Sequence, residues 1–424
     1  MKTIILKSTA ALFILMFATH SLHAQFQLDA EIRPQYEFRN GYKTLFPDQT
    51  DYASFVSQRT RLISSYSTNK MKVFVSIQNI RVWGNVPHLN VNDKNGFVLH
   101  EGYGEIKFKP NLLLRLGRQE LVYDDQRFLG NVDWAVQGRS HELALLKFSK
   151  GDFKLDFGAA MNQDADSLTG RTYIQQGNYK NMQLLWMNKT WKNISASLLF
   201  LNNGLQHIDH VDFSKNEVRY SQTAGSHIKY KKNKFKLNSN IYYQFGNDLN
   251  KNQISAYLLG LEGVYSKTGK LEFTLGGELQ SGNDEGGVKN KKNTAFSPLY
   301  GTNHKFNGYM DYFYVGNHMN SVGLLDLYFK TKTKINDKSI VSFDLHQFNA
   351  PAELKGNDFE ALGTEIDILY SYEFDKDLNI KIGYSHLFAQ EGMEWIKNSK
   401  NNQLNHFAYL IVAFKPNLFI SEKK

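Results

Sequence analysis

The feature that most constrains this chain is an alternation of apolar and polar side chains with a period of two, repeated along most of its 424 residues. In one segment Leu237, Ile241 and Tyr243 alternate with polar neighbours, and in another Ile366 and Ile368 alternate with charged ones. A strand directs successive side chains to opposite faces, so each segment predicts a strand with one apolar and one wet face. About eighteen such segments follow one another without a linker, most of them near the ~10 residues that cross a bilayer at a tilt.

The connections between the predicted strands alternate between short and long. Pro110 and Thr268-Gly269 mark short turns, whereas residues 162–180 and 282–323 form long connections. This rhythm is typical of bacterial outer-membrane barrels, which have tight periplasmic turns and longer extracellular loops. For the longest connection, Gly282 to Gly323, two alternatives stay open: an infolded constriction or lid, and an exposed loop.

The expected fold is therefore an all-β transmembrane antiparallel barrel of about 18 strands. A sheet with one face in lipid must close on itself, because an open edge would leave backbone N–H and C=O groups unpaired in hydrocarbon. A soluble β-sandwich would show the same alternation but not the rhythm of the connections. Aromatic residues near the strand ends predict interfacial girdles: Tyr66, Phe108, Trp186, Trp191, Tyr230, Phe235, Tyr265, Tyr372, Phe374 and Tyr384.

The first 24 residues have the pattern of a secretory signal peptide. Lys2 and Lys7 precede the apolar run from Ala10 to Ala18, and Ala24 precedes the predicted cleavage site. Residues 25–424 are then the barrel, in the outer membrane of a Gram-negative bacterium. Beyond residue 24 no run of about 18 apolar residues occurs, which excludes a helical transporter. The absence of cysteine excludes disulfides, thiolate metal sites and cysteine nucleophiles.

All arginines lie in the first 219 residues, and the remaining basic residues are lysines. Arginine binds carboxylate and phosphate bidentately, so the clustering suggests one basic wall that guides anions. Arg59 and Arg61 share a strand face with Ser57, which predicts that they point into the lumen. Simple alternation puts Arg118 on the same strand face as Leu114 and Leu116, so it would need a bulge to point inward. The alternative reading is that these arginines form salt bridges that brace the barrel.

Motifs for catalysis are weak. No nucleotide-binding, nucleophile-elbow or zinc-protease motif occurs in a supporting context. His346 or His386 could belong to a serine–histidine pair of a lipid hydrolase at the barrel rim, which is one alternative function. We expect no enzyme activity, no metal and no cofactor.

Several motifs resemble the alginate export family of outer-membrane porins. The most specific block comprises Gly117-Arg118-Gln119-Glu120-Leu121, Asp125-Gln126-Arg127, Asp133-Trp134 and Gln137-Gly138-Arg139. Less specific ones are Arg81-Val82-Trp83-Gly84, Asn303-His304-Lys305-Phe306 and Leu362-Gly363-Thr364-Glu365-Ile366-Asp367. The resemblance implies an eighteen-stranded monomeric barrel with an electropositive constriction through which an anionic polysaccharide leaves the periplasm.

The expected pore residues combine the lumen arginines with the matching positions of these motifs. The substrate-guiding residues would be Arg59, Arg61, Arg81, Arg118, Arg127, Arg139 and Lys305, and the counter-charges would be Glu120, Asp125, Asp133, Glu365 and Asp367. Because the second half lacks arginine, Lys236, Lys330 and Lys381 would have to complete a basic ring.

The predicted function is an outer-membrane channel for passive, electrostatically selected passage of an anionic polysaccharide such as alginate, most simply as export. The alternative within channels is an uptake porin for small anions or oligosaccharides. Expected partners are outer-membrane lipid and lipopolysaccharide, the anionic saccharide and the outer-membrane assembly machinery. Nucleic acid is not expected as a partner.

Overall fold

The computed structural model describes residues 24–89, 92–175, 177–354 and 361–421. In them the chain forms a closed antiparallel barrel of 18 strands, as the alternation predicts. The predicted signal peptide lies outside the described residues except for Ala24.

The barrel strands and two short additional strands are numbered along the chain. They are β1 Gln25–Asn40, β2 Ala53–Ser67, β3 Met71–Val82, β4 Val98–Lys109, β5 Leu112–Gln119, β6 His141–Lys150, β7 Phe153–Met161, β8 Asn181–Trp191, β9 Ile194–His207, β10 Glu217–Lys232, β11 Phe235–Asn247, β12 Gln253–Ser266, β13 Leu271–Gln280, β14 Lys292–Asn293, β15 Leu324–Lys334, β16 Ser339–Asn349, β17 Ala361–Asp375, β18 Leu378–Ala389, β19 Asn405–Phe414 and β20 Asn417–Ile420.

Closure is achieved at β1, which pairs antiparallel with β2 on one side and with β19 on the other. The two-residue β14 lies in a connection, and β20 continues the line of β19 along β1. Pro416 interrupts the last strand because it has no backbone N–H to donate. Its carbonyl still accepts a hydrogen bond from Ala30 N at 3.1 Å.

The two faces of the strands differ as expected. Ile241 and Tyr243 on the outer face are 48% and 47% exposed, whereas Asn240 and Gln244 on the inner face are 8% and 5% exposed. Phe108, Trp191, Phe235 and Phe374 are exposed at the ends of strands that meet the short turns. Trp186 departs from the predicted girdle, because it faces the interior and its indole N–H donates to the Asp124 carboxylate at 3.1 Å.

The described residues contain no helix long and apolar enough to cross a membrane. One short α-helix, α1 (Glu391–Lys397), lies in the long connection before β19. The 3₁₀ helices Phe213–Lys215, Asp284–Gly286 and Asn303–Lys305 also lie in long connections.

Two long connections determine the shape of the interior. Loop A comprises residues 120–140, between β5 and β6, and loop B comprises residues 281–323, between β13 and β15. The sequence pattern of residues 135–149 is typical of one continuous strand, but β6 begins only at His141. Residues 135–140 instead continue loop A, because Gly138 adopts a positive φ of 67° and Arg139 N bonds to Asn131 O.

Candidate functional site

Loops A and B fold into the lumen because the inner wall carries two apolar patches. Leu121, Phe128 and Leu129 of loop A cover one patch, which includes inner-wall Leu184 and Leu201. Met310, Tyr312 and Phe313 of loop B cover the other, which is formed by strand residues: Leu324, Phe348, Leu362, Leu387, Phe407, Tyr409, Ile411 and Ala413. Burying one such side chain contributes about 1.5–3 kcal/mol, which favours the folded-in position of both loops.

The two loops meet inside the barrel. Leu129 and Tyr300 form an isolated parallel bridge, and Gly130 N donates to Tyr300 O at 2.9 Å. Thr302 N donates to Gln126 O, also at 2.9 Å. Of the two alternatives for Gly282 to Gly323, the structure therefore shows the infolded constriction.

Arg127 clamps the junction of the loops. Its side chain is buried, and its Nη2 lies 2.5 Å from the Glu278 carboxylate on β13 and 3.0 Å from Asn307 Oδ1 on loop B. The guanidinium carbon also lies 4.7 Å from the centroid of the Phe306 ring. All of these contacts hold the two loops against the barrel wall, so Arg127 has a structural role and does not present its guanidinium to the lumen.

A stacked pair of rings, Trp134 of loop A and His304 of loop B, lies between two cavities. The ring centroids are 3.9 Å apart and the planes are inclined by 13°. His304 Nδ1 is held 2.9 Å from Asp311 Oδ1. Because both rings line both cavities, the stack separates one cavity from the other.

The outer cavity, on the side of the long loops, has a volume of about 600 Å³. Its charged residues are Glu37, Arg39, Lys43, Arg81, Arg139 and Asp311. The inner cavity, towards the short turns, has a volume of about 420 Å³. Its charged residues are Arg33, Asp133, Lys305, Lys381 and Lys415.

Arg33 and Arg59 are direct cross-strand partners on the inner faces of β1 and β2, where like charges repel. Asp133 of loop A lies against both, with its Oδ1 2.7 Å from Arg59 Nη2 and 3.5 Å from Arg33 Nη1. Arg59 also pairs with Glu31 at 2.8 Å. Burial alone would raise the pKa of Asp133, but the charges of Arg59 and Arg33 outweigh it and hold the pKa below its usual value. The carboxylate therefore stays ionised.

Arg33 also fixes the backbone beside the stacked rings. Its Nη1 donates to Asp133 O at 2.7 Å and its Nη2 donates to Trp134 O at 3.2 Å. The position of the Trp134 ring between the cavities thus depends on an arginine of the barrel wall.

Arg59 and Arg61 face the interior, in the orientation that alternation predicts. Arg61 donates to Gln78 Oε1 from both Nε and Nη2, at 3.1 and 2.7 Å. With Arg33, Lys381 and Lys415 they form what we call the basic wall, on β1, β2, β18 and directly after β19. Of these five, Arg33, Lys381 and Lys415 line the inner cavity, and Lys415 lies 3.3 Å from Glu31.

One predicted pore arginine, Arg118, faces outward, and its assignment to the lumen is wrong. Arg118 is opposite Glu142 on the outer face and lies 3.1 Å from its carboxylate. No bulge reverses the alternation that groups it with Leu114 and Leu116. By register Arg81 is also on the outer face, opposite Gln58, where it pairs with Asp93, but it borders the outer cavity as well.

The remaining predicted residues lie inside the barrel. Arg139 donates from Nη1 to Gly301 O at 3.1 Å, and Lys305 donates from Nζ to Asp125 O at 2.9 Å. Asp125 also accepts from Asn240 Nδ2 at 2.6 Å. Arg139 has an open lumen face, since it lines the outer cavity.

Glu120 belongs to a possible cation site. Its Oε1 lies 2.8 Å from His100 Nε2, and its other oxygen accepts from Asn131 Nδ2 at 2.8 Å. One ligand atom each from His100, Glu101 and Glu120 lies within 4.8 Å of the others. The mutual hydrogen bonds already satisfy these groups without an ion.

The predicted counter-charges Glu365 and Asp367 do not pair with the arginines. Both lie on β17, where Glu365 accepts from Met310 N at 2.9 Å and Asp367 accepts from Ser385 Oγ at 2.5 Å. With Glu278, Asp326 and Asp344 they form an acidic wall on β13 and β15–β17. Glu365 therefore anchors loop B, and the acidic wall occupies different strands from the basic wall.

The lysines proposed to complete a basic ring all face inward, but two are neutralised. Lys236 lies 3.0 Å from Glu272, and Lys330 lies 3.3 Å from Asp344. Lys381 has no acidic partner among the described residues and faces the inner cavity. The ring is consequently open on the acidic side, where a third cavity of about 450 Å³ lies beside Glu262 and Glu278.

The two histidines considered for hydrolysis have other partners. His346 faces the interior, with Nδ1 2.9 Å from Asp326 Oδ1. His386 faces outward, and its Nδ1 lies 3.0 Å from His406 Nδ1. Among the described residues no serine hydroxyl bonds to either ring, so the geometry does not favour the hydrolase alternative.

Sequence reasoning missed Arg33, Trp134, His304 and Lys415 as site residues. For Arg33 a signal was available, because it shares a strand face with the polar residues Glu31 and Gln35, and this wet face points inward. The meeting of Trp134 and His304 had no local signal, since 170 positions separate them in the chain.

Comparison with known protein families gives a match that covers most of the chain. The family model described as "Alginate export" matches residues 24–405. A comparison with curated proteins found no match.

Solved structures with a similar fold include three outer-membrane proteins from two organisms. OccK5 (OpdH) of Pseudomonas aeruginosa is 12% identical with a TM-score of 0.61, over 93% of this chain and 98% of that one. OccAB1 of Acinetobacter baumannii is 13% identical with a TM-score of 0.62, over 93% and 97%. OpdK of Pseudomonas aeruginosa, solved with vanillate, is 10% identical with a TM-score of 0.59, over 93% and 98%.

Proposed function

This chain belongs to the alginate export family, and we propose that it is an outer-membrane channel for the passive passage of acidic saccharides, in the direction of export. The observation that carries the proposal is the basic wall, which lines a lumen divided into saccharide-sized cavities. Each cavity lies within the range of volumes of small-molecule sites.

The basic wall supports selection for carboxylates. A carboxylate about 4 Å from one guanidinium gains about 4 kcal/mol at an effective dielectric constant of 20. The wall thus offsets part of the cost of moving a hydrated anion into a narrow passage. Passage needs no chemical step, and the sequence contains no nucleotide-binding motif that would supply energy.

We further propose the following about the mature protein, its oligomeric state and its membrane. The mature protein would begin after Ala24 and act as a monomer in a Gram-negative outer membrane, in contact with lipid and lipopolysaccharide. The assembly machinery of that membrane would insert it.

The test is electrical. In planar bilayers under a KCl gradient, the reversal potential of the purified protein is expected to lie towards the equilibrium potential of chloride, which indicates anion selectivity. Trigalacturonate should block the current more strongly than maltotriose, a neutral trisaccharide. A cation-selective reversal potential, or equal block by the two sugars, would contradict the proposal.

The closed constriction favours a second candidate, an uptake porin for small carboxylates. The Trp134–His304 stack lies between the two cavities, and OpdK, a structure of the same fold, was solved with vanillate. This alternative predicts that benzoate reduces the ion current through the channel, while deletion of the gene leaves polymer secretion unchanged. A secretion defect on deletion would favour export.

A further inference from the structure

Trp134 has the environment of a binding platform. Its ring borders both cavities, and Tyr409 supports it edge-on at a centroid distance of 4.7 Å. Two other tryptophans, Trp83 and Trp186, donate their indole N–H to side chains. Among the described residues Trp134 has no such acceptor, so its indole N–H is available to a ligand.

The platform is occupied from one side by His304. The face-to-face distance of 3.9 Å leaves no room for a further ring between them. His304 belongs to loop B, with Nδ1 against Asp311 and its other face 5.2 Å from the Tyr309 ring. Trp134 belongs to loop A, and its carbonyl is held by Arg33. The contact therefore joins two loops and can open without a change in the barrel strands.

Basic groups lie on both sides of the stack. Arg39, Lys43 and Arg139 face the outer cavity, and Lys305, Lys381 and Lys415 face the inner one. A ligand that stacks on the indole can therefore place a carboxylate near a cation in either cavity. An acidic sugar has both features, since the C–H face of a pyranose ring is apolar and its carboxylate is charged.

We propose that Trp134 is the platform on which a uronate ring stacks as it passes between the cavities, and that His304 occupies this platform in the absence of substrate. This inference rests on the proposed function and names the contact that recognises the ring. Arg33 is then a positioning residue, because it holds the backbone of Trp134.

Two substitutions that both break the stack, but that should differ in their effect on the block by trigalacturonate, test the proposal. Both Trp134→Ala and His304→Ala break the stack, and both should raise the conductance for chloride. Trp134→Ala should weaken the block by trigalacturonate about tenfold, the scale of one aromatic contact. His304→Ala should leave the block unchanged or tighten it, because it removes the competitor.

Three controls complete the experiment. Trp83→Ala, at an exposed tryptophan that hydrogen-bonds to Gln58, should leave the block unchanged. Trp134→Phe keeps a flat ring and should restore part of the affinity. Calorimetric titration of each variant with trigalacturonate in detergent measures binding independently of conductance, and heat-dependent gel mobility verifies folding.

The outcomes separate the two proposals. If Trp134→Ala and His304→Ala change affinity in the same direction and to the same extent, the stack only closes the pore and the platform is refuted. If the wild-type channel is anion-selective and blocked by trigalacturonate in that case, the proposed function stands. If the wild type is neither, the proposed function fails.

Discussion

Arg127 shows how a buried charge can hold a constriction in place. The guanidinium and the Glu278 carboxylate are both nearly excluded from solvent, at 1% and 7% side-chain exposure. Removing one partner leaves an uncompensated buried charge, which typically costs about 3–5 kcal/mol. The stability and the closed state of the channel thus depend on the same contact.

We expect Arg127→Met to lower the temperature at which heat-dependent gel mobility shifts and to raise the conductance. Arg171→Met, at an exposed loop arginine, is the control and should change neither quantity. The double variant Arg127→Met with Glu278→Leu should recover much of the lost stability, because it removes both charges. Equal stability of the single and double variants would contradict this account.

The orientation of individual arginines sets their effect on selectivity. Arg118 is on the outer face, so Arg118→Gln should keep the wild-type reversal potential. Arg59→Gln should shift the reversal potential towards cations, since it leaves Glu31 and Asp133 without their closest cation. The comparison in one salt gradient checks both, and a larger shift for Arg118→Gln would contradict the assignment of faces.

At the scale of elements, α1 anchors loop B through one lysine. Lys397 Nζ donates to the carbonyls of Tyr312 and Asn317. Burial lowers the pKa of Lys397 to about 7, far below the ~10.4 of a free lysine. Lys397 binds its proton more tightly when loop B is released and the ammonium is in water than when it is buried against loop B. The buried arrangement therefore gains stability as the pH rises from about 7 to about 10, and below pH 7 it carries the full cost of a buried charge.

The corresponding prediction concerns hydrogen exchange. Protection factors in loop B near Tyr312, corrected for the intrinsic rate, should rise between pH 6 and pH 9 in the wild type. In Lys397→Met the same amides should show no such rise. A wild-type profile that falls with pH would have the wrong sign and would refute the anchoring role.

The strands were predictable from sequence because each is a local pattern, while the infolded loops depend on contacts between distant segments. A partial signal existed. Leu198 to Leu201 and Leu143 to Leu146 are unbroken apolar runs, which indicate strands that are buried on both faces. A wet lumen should not have such strands, so these runs imply a cover. They do not say which loop provides it, since the partners are far apart in sequence.

The site residues likewise divide into those that local alternation predicts and those that depend on contacts between distant segments. Alternation correctly placed Arg59 and Arg61, and it also placed Arg118 outward where the motif resemblance suggested the lumen. The physical pattern was the better guide there, because a motif carries no register. The pairing of Asp133 with Arg33 and Arg59 required knowledge of where loop A ends up.

For the whole molecule, the closed barrel places lipid outside and water inside, and neighbouring strands allow a paired test. Leu261 on β12 is 62% exposed on the outer face. Asn238 on β11 faces inward, where its Nδ2 lies 2.9 Å from Glu262 Oε1. A lysine at the first position would enter hydrocarbon, and a lysine at the second would meet water and a carboxylate.

We expect Leu261→Lys to reduce the free energy of folding into lipid vesicles by about 2–4 kcal/mol if the residue lies near the midplane, and by less towards an interface. Asn238→Lys should stay within about 0.5 kcal/mol of the wild type, as surface substitutions usually do. The folded fraction after titration with urea, read from gel mobility in vesicles, measures both. Asn238 pairs with Glu262, the neighbour of Leu261, so the two positions lie at the same level of the barrel on opposite faces. Equal tolerance of the two lysines would therefore mean that the outer face does not contact acyl chains, and a transmembrane channel would then be the wrong architecture.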